Sequence, residues 1–247
     1  MSLLDRRISA ILLAGLFIII SCAKDSTEVE RTPTSTFPLT TDSRWEYRAI
    51  WHTIPFNEPS LADTVTIGIY RHIIGSDSLP GIANLTVCDD TVITNQSGQI
   101  DTSINRQWLK MEDDKLKMFA YDEILIGNDP DPDIYDFPRN LLDFPLGGGK
   151  GWIVYSEIST QESKTVAGID YIELPFGWQY CDVVRGTVLH STSGDTLRST
   201  YEWYTDDGLM RIEYDHGVIV ITDELGAFLD SVRAYETWDL IGMDIRP

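Results

Sequence analysis

From Trp45 onward, apolar and polar residues alternate with a period of two. That spacing is the signature of strands with one buried face. Trp45, Tyr47 and Trp51 fall on one side, with Glu46, Arg48 and His52 on the other. Val65, Ile67, Ile69 and Ile73 alternate with Thr64, Thr66 and His72, and Leu85 and Val87 lead into Asp89-Asp90. Tyr201 and Trp203 alternate with Glu202, then Met210, Ile212 and Tyr214 with Arg211 and Glu213. Short turns at Ser193-Gly194-Asp195, Asp206-Asp207-Gly208 and His216-Gly217 suit hairpins, so neighbouring strands should run antiparallel. Glu112-Asp113-Asp114-Lys115 reads as a further hairpin turn. Helical spacing is sparse. Leu225, Phe228, Leu229 and Val232 have it, but Gly226 interrupts them, and strand, turn at Glu224-Leu225-Gly226, strand is the preferred reading, with a short helix as the alternative.

The period breaks only at the start. Arg6 and Arg7 precede a run from Ile8 to Ile20 that is apolar or small apart from Ser9. Thirteen residues fall short of the roughly 20 needed to span a bilayer, and the flanks fit an export signal that is removed. Ile19-Ile20-Ser21-Cys22 resembles the lipobox of bacterial lipoproteins. The resemblance implies cleavage before Cys22 and multiple acylation of that cysteine, palmitate included. Two or more acyl chains give stable anchoring, at ~0.8 kcal/mol per buried methylene. The expected domains are therefore a signal peptide over 1–21 (the N-terminal signal helix), a flexible tether over 22–36 and a single β-rich domain over 37–247. The tether is polar and Pro-containing, with almost nothing to bury. Ala23 stands where an aspartate often retains lipoproteins at the inner membrane, which favours the outer membrane of a Gram-negative envelope. Lys24-Asp25 resembles the start of a surface-export tag, but Ser26 breaks it, so the face of the membrane stays open.

Charge and cysteine use sharpen this address. The chain carries −20 and its export segment +1 (Asp5, Arg6, Arg7), leaving −21 on the mature protein. A phosphate backbone needs a basic face, so nucleic acid is excluded as a partner. Anionic headgroups repel such a domain too, so the anchor at Cys22 must hold it to the membrane. Once Cys22 is acylated, Cys88 and Cys181 remain, an even pair in an oxidising compartment and a candidate disulfide. The alternative is two separate buried thiols. The four histidines share no ligand spacing.

One motif recurs. Phe37-Pro38-Leu39, five residues, Trp45 is echoed by Phe144-Pro145-Leu146, five residues, Trp152. A single repeated motif does not establish duplicated halves. The second copy contains Gly147-Gly148-Gly149-Lys150-Gly151, which lacks the Gly-Lys-Ser/Thr and following helix of a phosphate loop. The opening Phe37-Pro38-Leu39…Trp45-Glu46-Tyr47, the stretch Pro175 to Val184 around Cys181, and the closing Tyr201 to Tyr204 with Gly208 to Tyr214 resemble a family of uncharacterised bacterial lipoproteins. This chain departs from that family at Phe176 and at Thr41-Asp42-Ser43. The resemblance implies an all-β fold with few short helices: a curved antiparallel sheet or an open β-barrel like the lipoprotein carriers. It transfers no catalytic residue.

Candidate chemistry is thin. Asp129, Asp131 and Asp133 alternate with prolines and offer oxygens to Ca²⁺, without the glycine and terminal glutamate of an EF-hand; an exposed acidic turn is the plainer reading. No Gly-x-Ser-x-Gly or His-Glu-x-x-His occurs, so hydrolase chemistry has little support. No cofactor is expected. The sequence therefore reads as a non-catalytic envelope lipoprotein that acts as an interaction or scaffold protein. The alternative is a carrier or binding module holding an apolar or amphiphilic ligand, motivated by the aromatic residues along the strands. The expected partners are the membrane itself, an envelope protein or a lipid ligand.

Overall fold

The computed structural model describes residues 32–246 except 97–98, 126–130 and 223–227. Cys22, the signal segment and most of the tether lie outside the described residues. Twelve strands follow one another: β1 (Arg44–Pro55), β2 (Asp63–Leu79), β3 (Ile82–Gln96), β4 (Gln99–Glu112), β5 (Lys115–Leu125), β6 (Asp133–Asp143), β7 (Gly151–Ser156), β8 (Thr160–Leu174), β9 (Gly177–His190), β10 (Thr196–Thr205), β11 (Gly208–Thr222) and β12 (Phe228–Asp244). They form one sheet in the order β6-β5-β4-β3-β2-β1-β12-β11-β10-β9-β8-β7. Every described ladder is antiparallel, and β12 returns to pair with β1. The result is a nearly closed barrel whose seam lies between β6 and β7, in the middle of the chain. Closing a sheet on itself hides the edge strands that an open sheet leaves exposed. Among the described residues the only helical turn is the 3₁₀ turn Pro59–Leu61.

The period-two reading holds where it is strongest. Trp45, Tyr47 and Ala49 are buried while Arg48 is exposed, and Met210 and Ile212 are buried with Glu213 exposed. Asp113 and Asp114 take positive φ in the β4–β5 turn, as a two-residue hairpin loop of mirror-image type requires. Two boundaries move. Thr34 is buried and belongs to the domain: its N–H donates to Asp182 Oδ2 at 2.7 Å. The polar composition of 32–36 concealed this, because the segment is held by hydrogen bonds and not by apolar burial. His216-Gly217 is also not a turn between strands. β11 runs through it as a bulge, with Gly217 at φ 66.

The echoed motif marks a real duplication of architecture. β1–β6 and β7–β12 each begin with Phe-Pro-Leu, five residues and a buried Trp. In each half the second strand carries a glycine bulge, Gly75 at φ 147 and Gly168 at φ 146. A residue with a Cβ is strained at such a φ. In each half the fourth strand presents a tryptophan whose indole donates to an aspartate just past that bulge. Trp108 Nε1 reaches Asp77 Oδ2 at 3.3 Å, and Trp203 Nε1 reaches Asp170 Oδ2 at 3.0 Å. Each tryptophan sits at a register shift and precedes an Asp-Asp turn. The two Phe-Pro-Leu segments close the barrel end at which β1 and β7 begin. Phe144 N–H donates to Asp114 O at 2.8 Å, and Trp45 Nε1 donates to Asp207 O at 2.8 Å.

Candidate functional site

The barrel interior holds a half-open cavity of about 390 Å³. Apolar walls come from Leu109, Leu116, Met118 and Ile212, and Phe37 is also among the lining residues. Its polar centre repeats across the two halves. Arg71 on β2 and Lys164 on β8 occupy matching positions, four residues before Gly75 and Gly168. Gln107 and Glu202 match likewise, each directly before the bulge tryptophan. The third-strand positions that pair with the two cations are Asp90 and Gly186.

The halves neutralise their cations differently. Arg71 forks onto Asp90, with Nε to Oδ1 and Nη2 to Oδ2 both at 2.7 Å. Lys164 Nζ crosses β9 to reach Glu202 Oε2 on β10 at 2.7 Å. Its path runs beside Gly186, where a Cβ would only touch Lys164 Cε, at 3.7 Å, but would collide with Thr200 Oγ1. Tyr204 donates its hydroxyl to the same Glu202 Oε2 at 2.8 Å. Lys164 and Glu202 keep only 7% and 6% side-chain exposure, so each depends on the other for its charge.

Burial governs the other titratable groups. It pushes the Tyr47, Tyr204 and Tyr214 phenols and the Cys88 thiol well above their ordinary ranges. Burial opposes the charge on Arg71, but Asp90 outweighs it and keeps the guanidinium firmly protonated. Cys88 is therefore a neutral thiol and not an activated nucleophile. The arrangement can hold polar and apolar groups of a ligand side by side; its carboxylates are already committed to fixed cations.

The seam supplies the side of the cavity. Trp152 Nε1 donates to Asn140 O at 3.0 Å, linking β7 to β6. Arg139 lies between two rings, 4.2 Å from the Tyr135 centroid and 4.3 Å from Tyr155, and its Nη2 donates to Glu157 Oε1 at 2.8 Å. Tyr135 and Arg139 also line the cavity. One cationic side chain thus plugs the only gap in the described ladders.

Of the candidate site residues read from the sequence only Cys88 lines the cavity, together with Phe37, Ile212 and Tyr214 from the motifs and strands. The expected Cys88–Cys181 link is not formed; the two are separate buried thiols. Cys88 on β3 lines the cavity, whereas Cys181 on β9 pairs with Asp170, the acceptor for Trp203, on the opposite face of the sheet. Asp129 lies outside the described residues. Asp131 N–H donates to Asp122 Oδ2 at 2.8 Å and Asp133 opens β6; among the described residues no three acidic, histidine or cysteine side chains converge. Lys164 and Glu202 escaped notice because alternation assigns the aromatics Tyr201 and Trp203 to the core. In fact the glutamate between them faces the lumen. The only sequence signal was a lone lysine amid small and apolar residues in β8.

No family model matches the chain, and no curated protein matches it. Among solved structures, a protein described as exported with a YmcC-like fold, from Bacteroides fragilis, is 14% identical over 85% of this chain and 99% of its own, with a TM-score of 0.41. A protein described as a lipoprotein, from Parabacteroides distasonis, is 14% identical over 87% of this chain and 100% of its own, with a TM-score of 0.35. A β-barrel-like protein of a domain of unknown function, DUF1849, from Brucella abortus, is 8% identical over 84% of this chain and 99% of its own, with a TM-score of 0.44.

Proposed function

We propose that this is a non-catalytic lipoprotein, acylated at Cys22 and held on the outer membrane, whose barrel is a binding module for a small amphiphile. The observation that carries the reading is the lumen. A space of about 390 Å³, part apolar and part charged, falls in the range of small-molecule sites. A purely apolar ligand fits it poorly, because Arg71, Asp90, Lys164 and Glu202 face the same space. The cavity wall holds three cations and two carboxylates, since the partner of Arg139, Glu157, is not among the lining residues. That balance favours a ligand with one anionic group near the seam and an apolar body against Leu116 and Met118. Extraction of the native acylated protein followed by mass spectrometry of bound small molecules tests this. A co-purifying anionic amphiphile at near-equal stoichiometry, lost when Ile212→Trp fills the lumen, is the expected result. A ligand-free protein that still binds none from a lipid extract overturns it.

A second reading, a scaffold for a protein partner, rests on one feature. β10 pairs with β11 only as far as Asp215, while β11 continues to Thr222. Val218 to Ile221 are all exposed there, and among the described residues no strand pairs on their β10 side. Such an edge can accept an added strand. A protein that co-purifies reproducibly and is lost with Val220→Pro favours the scaffold.

A further inference from the structure

The β8–β9 hairpin leaves the barrel wall. β9 pairs with β10 only from Asp182 onward, and β7 pairs with β8 only as far as Thr165. Beyond these points β8 and β9 form a ribbon of their own, turning at Pro175-Phe176. One face of the ribbon is buried through Ile172, Leu174 and Cys181. The other presents Tyr171, Trp178 and Tyr180, exposed at 53%, 54% and 49%. These rings cover one another: Tyr171 stacks on Trp178 at 5.0 Å and packs against Tyr180 at 5.3 Å. Phe176 is exposed at the tip.

The fold does not require these rings. The matching ribbon of the first half, between Gly75 and Val87, buries Leu79 and Leu85 in the same way. Its exposed positions are Ser76, Ser78 and Asn84, where the second half has Ile169, Tyr171 and Tyr180. Two ribbons of one design thus differ in their exposed face, one polar and one aromatic.

The place of the aromatic ribbon completes the argument. Thr34 is bonded to Asp182, two residues along β9 from Tyr180 and on the same face. The chain leading back to Cys22 therefore starts beside this ribbon. Twelve residues separate Cys22 from Thr34, a reach of at most ~40 Å when extended. We infer that the Tyr171–Trp178–Tyr180 face lies against the headgroup layer of the bilayer in which the acylated Cys22 is anchored; this rests on the anchoring proposed above. Tyr and Trp suit that layer because one end of each ring system is apolar and the other polar. The face carries one carboxylate, Glu173, paired with Trp178; its otherwise uncharged contact suits a domain that anionic headgroups repel.

The test uses the full acylated protein in phosphatidylcholine vesicles carrying bromine either high or deep on the acyl chains. Tryptophan quenching by the shallow label should exceed quenching by the deep label at least two-fold, and Trp178→Phe should remove that excess. Replacing Tyr171, Trp178 and Tyr180 together by serine should leave the protein floating with vesicles and abolish the excess of shallow over deep quenching. Flotation with no Trp178-dependent quenching overturns the docked face while leaving the anchor intact. Failure to float overturns the anchor and the docked face with it. Self-association that disappears in the triple serine variant, without quenching, assigns the face to a second copy of the chain and overturns the bilayer.

Discussion

The two halves solve one problem, a cation inside a barrel, with different side chains. In the first, Arg71 and its carboxylate sit on adjacent strands and lock as a planar fork. In the second, Lys164 reaches over a glycine to a carboxylate one strand farther on, which Tyr204 also holds. The fork needs neighbouring positions because both guanidinium nitrogens must meet both oxygens. A single ammonium needs only length and a clear path, and Lys164 has both where it passes Gly186. The position of the pair can therefore shift by one strand while the lumen keeps its charge balance.

Breaking each pair gives the largest expected effects. Asp90→Ala strands Arg71 in the interior and should cost roughly 3–5 kcal/mol. Glu202→Ala should cost less, because Lys164 loses one charge-assisted hydrogen bond where Arg71 loses two. Denaturant unfolding of the two variants checks the order; equal losses would mean that the lumen is wet enough to solvate both cations. Lys164→Met combined with Glu202→Leu should recover most of the single-variant loss, since an apolar pair of similar volume replaces the ions.

Gly186→Ala tests the packing of β9 against Thr200. Its Cβ collides with Thr200 Oγ1, and overpacking of this kind costs about 1–3 kcal/mol. Adding Thr200→Ser should leave most of that loss in place, because the hydroxyl remains, whereas Thr200→Ala should relieve it. If Gly186→Ala alone is neutral in thermal unfolding, β9 and Thr200 have enough slack to take the added methyl group.

The halves also show what sequence can and cannot disclose. The strands, their antiparallel order and the Asp113-Asp114 turn were legible because each rests on local chemistry: alternation, and residues that tolerate positive φ. The Phe-Pro-Leu echo was legible as a motif but not as a duplication. The features that match across the halves are a glycine, a tryptophan and an aspartate brought together by register, with spacings that differ between the copies. The lumen was illegible for a related reason. Glu202 sits between Tyr201 and Trp203, and alternation alone cannot tell which face of a strand meets a charged interior. Thr34 was missed because hydrogen bonds leave no hydrophobic pattern.

Smaller effects test the shared part of the design. Trp108→Phe and Trp203→Phe each remove one indole donor to an aspartate. Each should cost about 1 kcal/mol from the hydrogen bond, plus a part of similar size from lost ring area. The Trp203 change should be slightly larger, since its bond is 3.0 Å against 3.3 Å. A several-fold difference would show that the two corners are alike in geometry but not in energy. Thiol titration of denatured, non-reduced protein should count two thiols, Cys88 and Cys181, with Cys22 blocked by the proposed acylation. In the native state Cys88 should alkylate slowly across neutral pH, because burial holds it protonated.

The smallest expected effect lies where the halves part company, at the β11 bulge. Burial opposes the charge on Asp215, yet the Gly217 N–H at 2.9 Å and the Arg233 guanidinium at 3.0 Å outweigh it and hold the carboxyl below the ordinary range. A depressed folded-state value means the contribution is complete above the unfolded value of about 3.9 and is lost as pH falls through the folded one. Arg233 is half exposed, so solvent screening keeps the contribution of the pair small. Amide exchange of Gly217 and Val218, compared in wild type and Asp215→Asn, resolves an effect of that size. Protection should fall in the wild type as the medium is acidified below about pH 4 and should be lower and flat in the variant. Identical, pH-independent protection in both proteins would assign the bulge to backbone pairing with β12 alone.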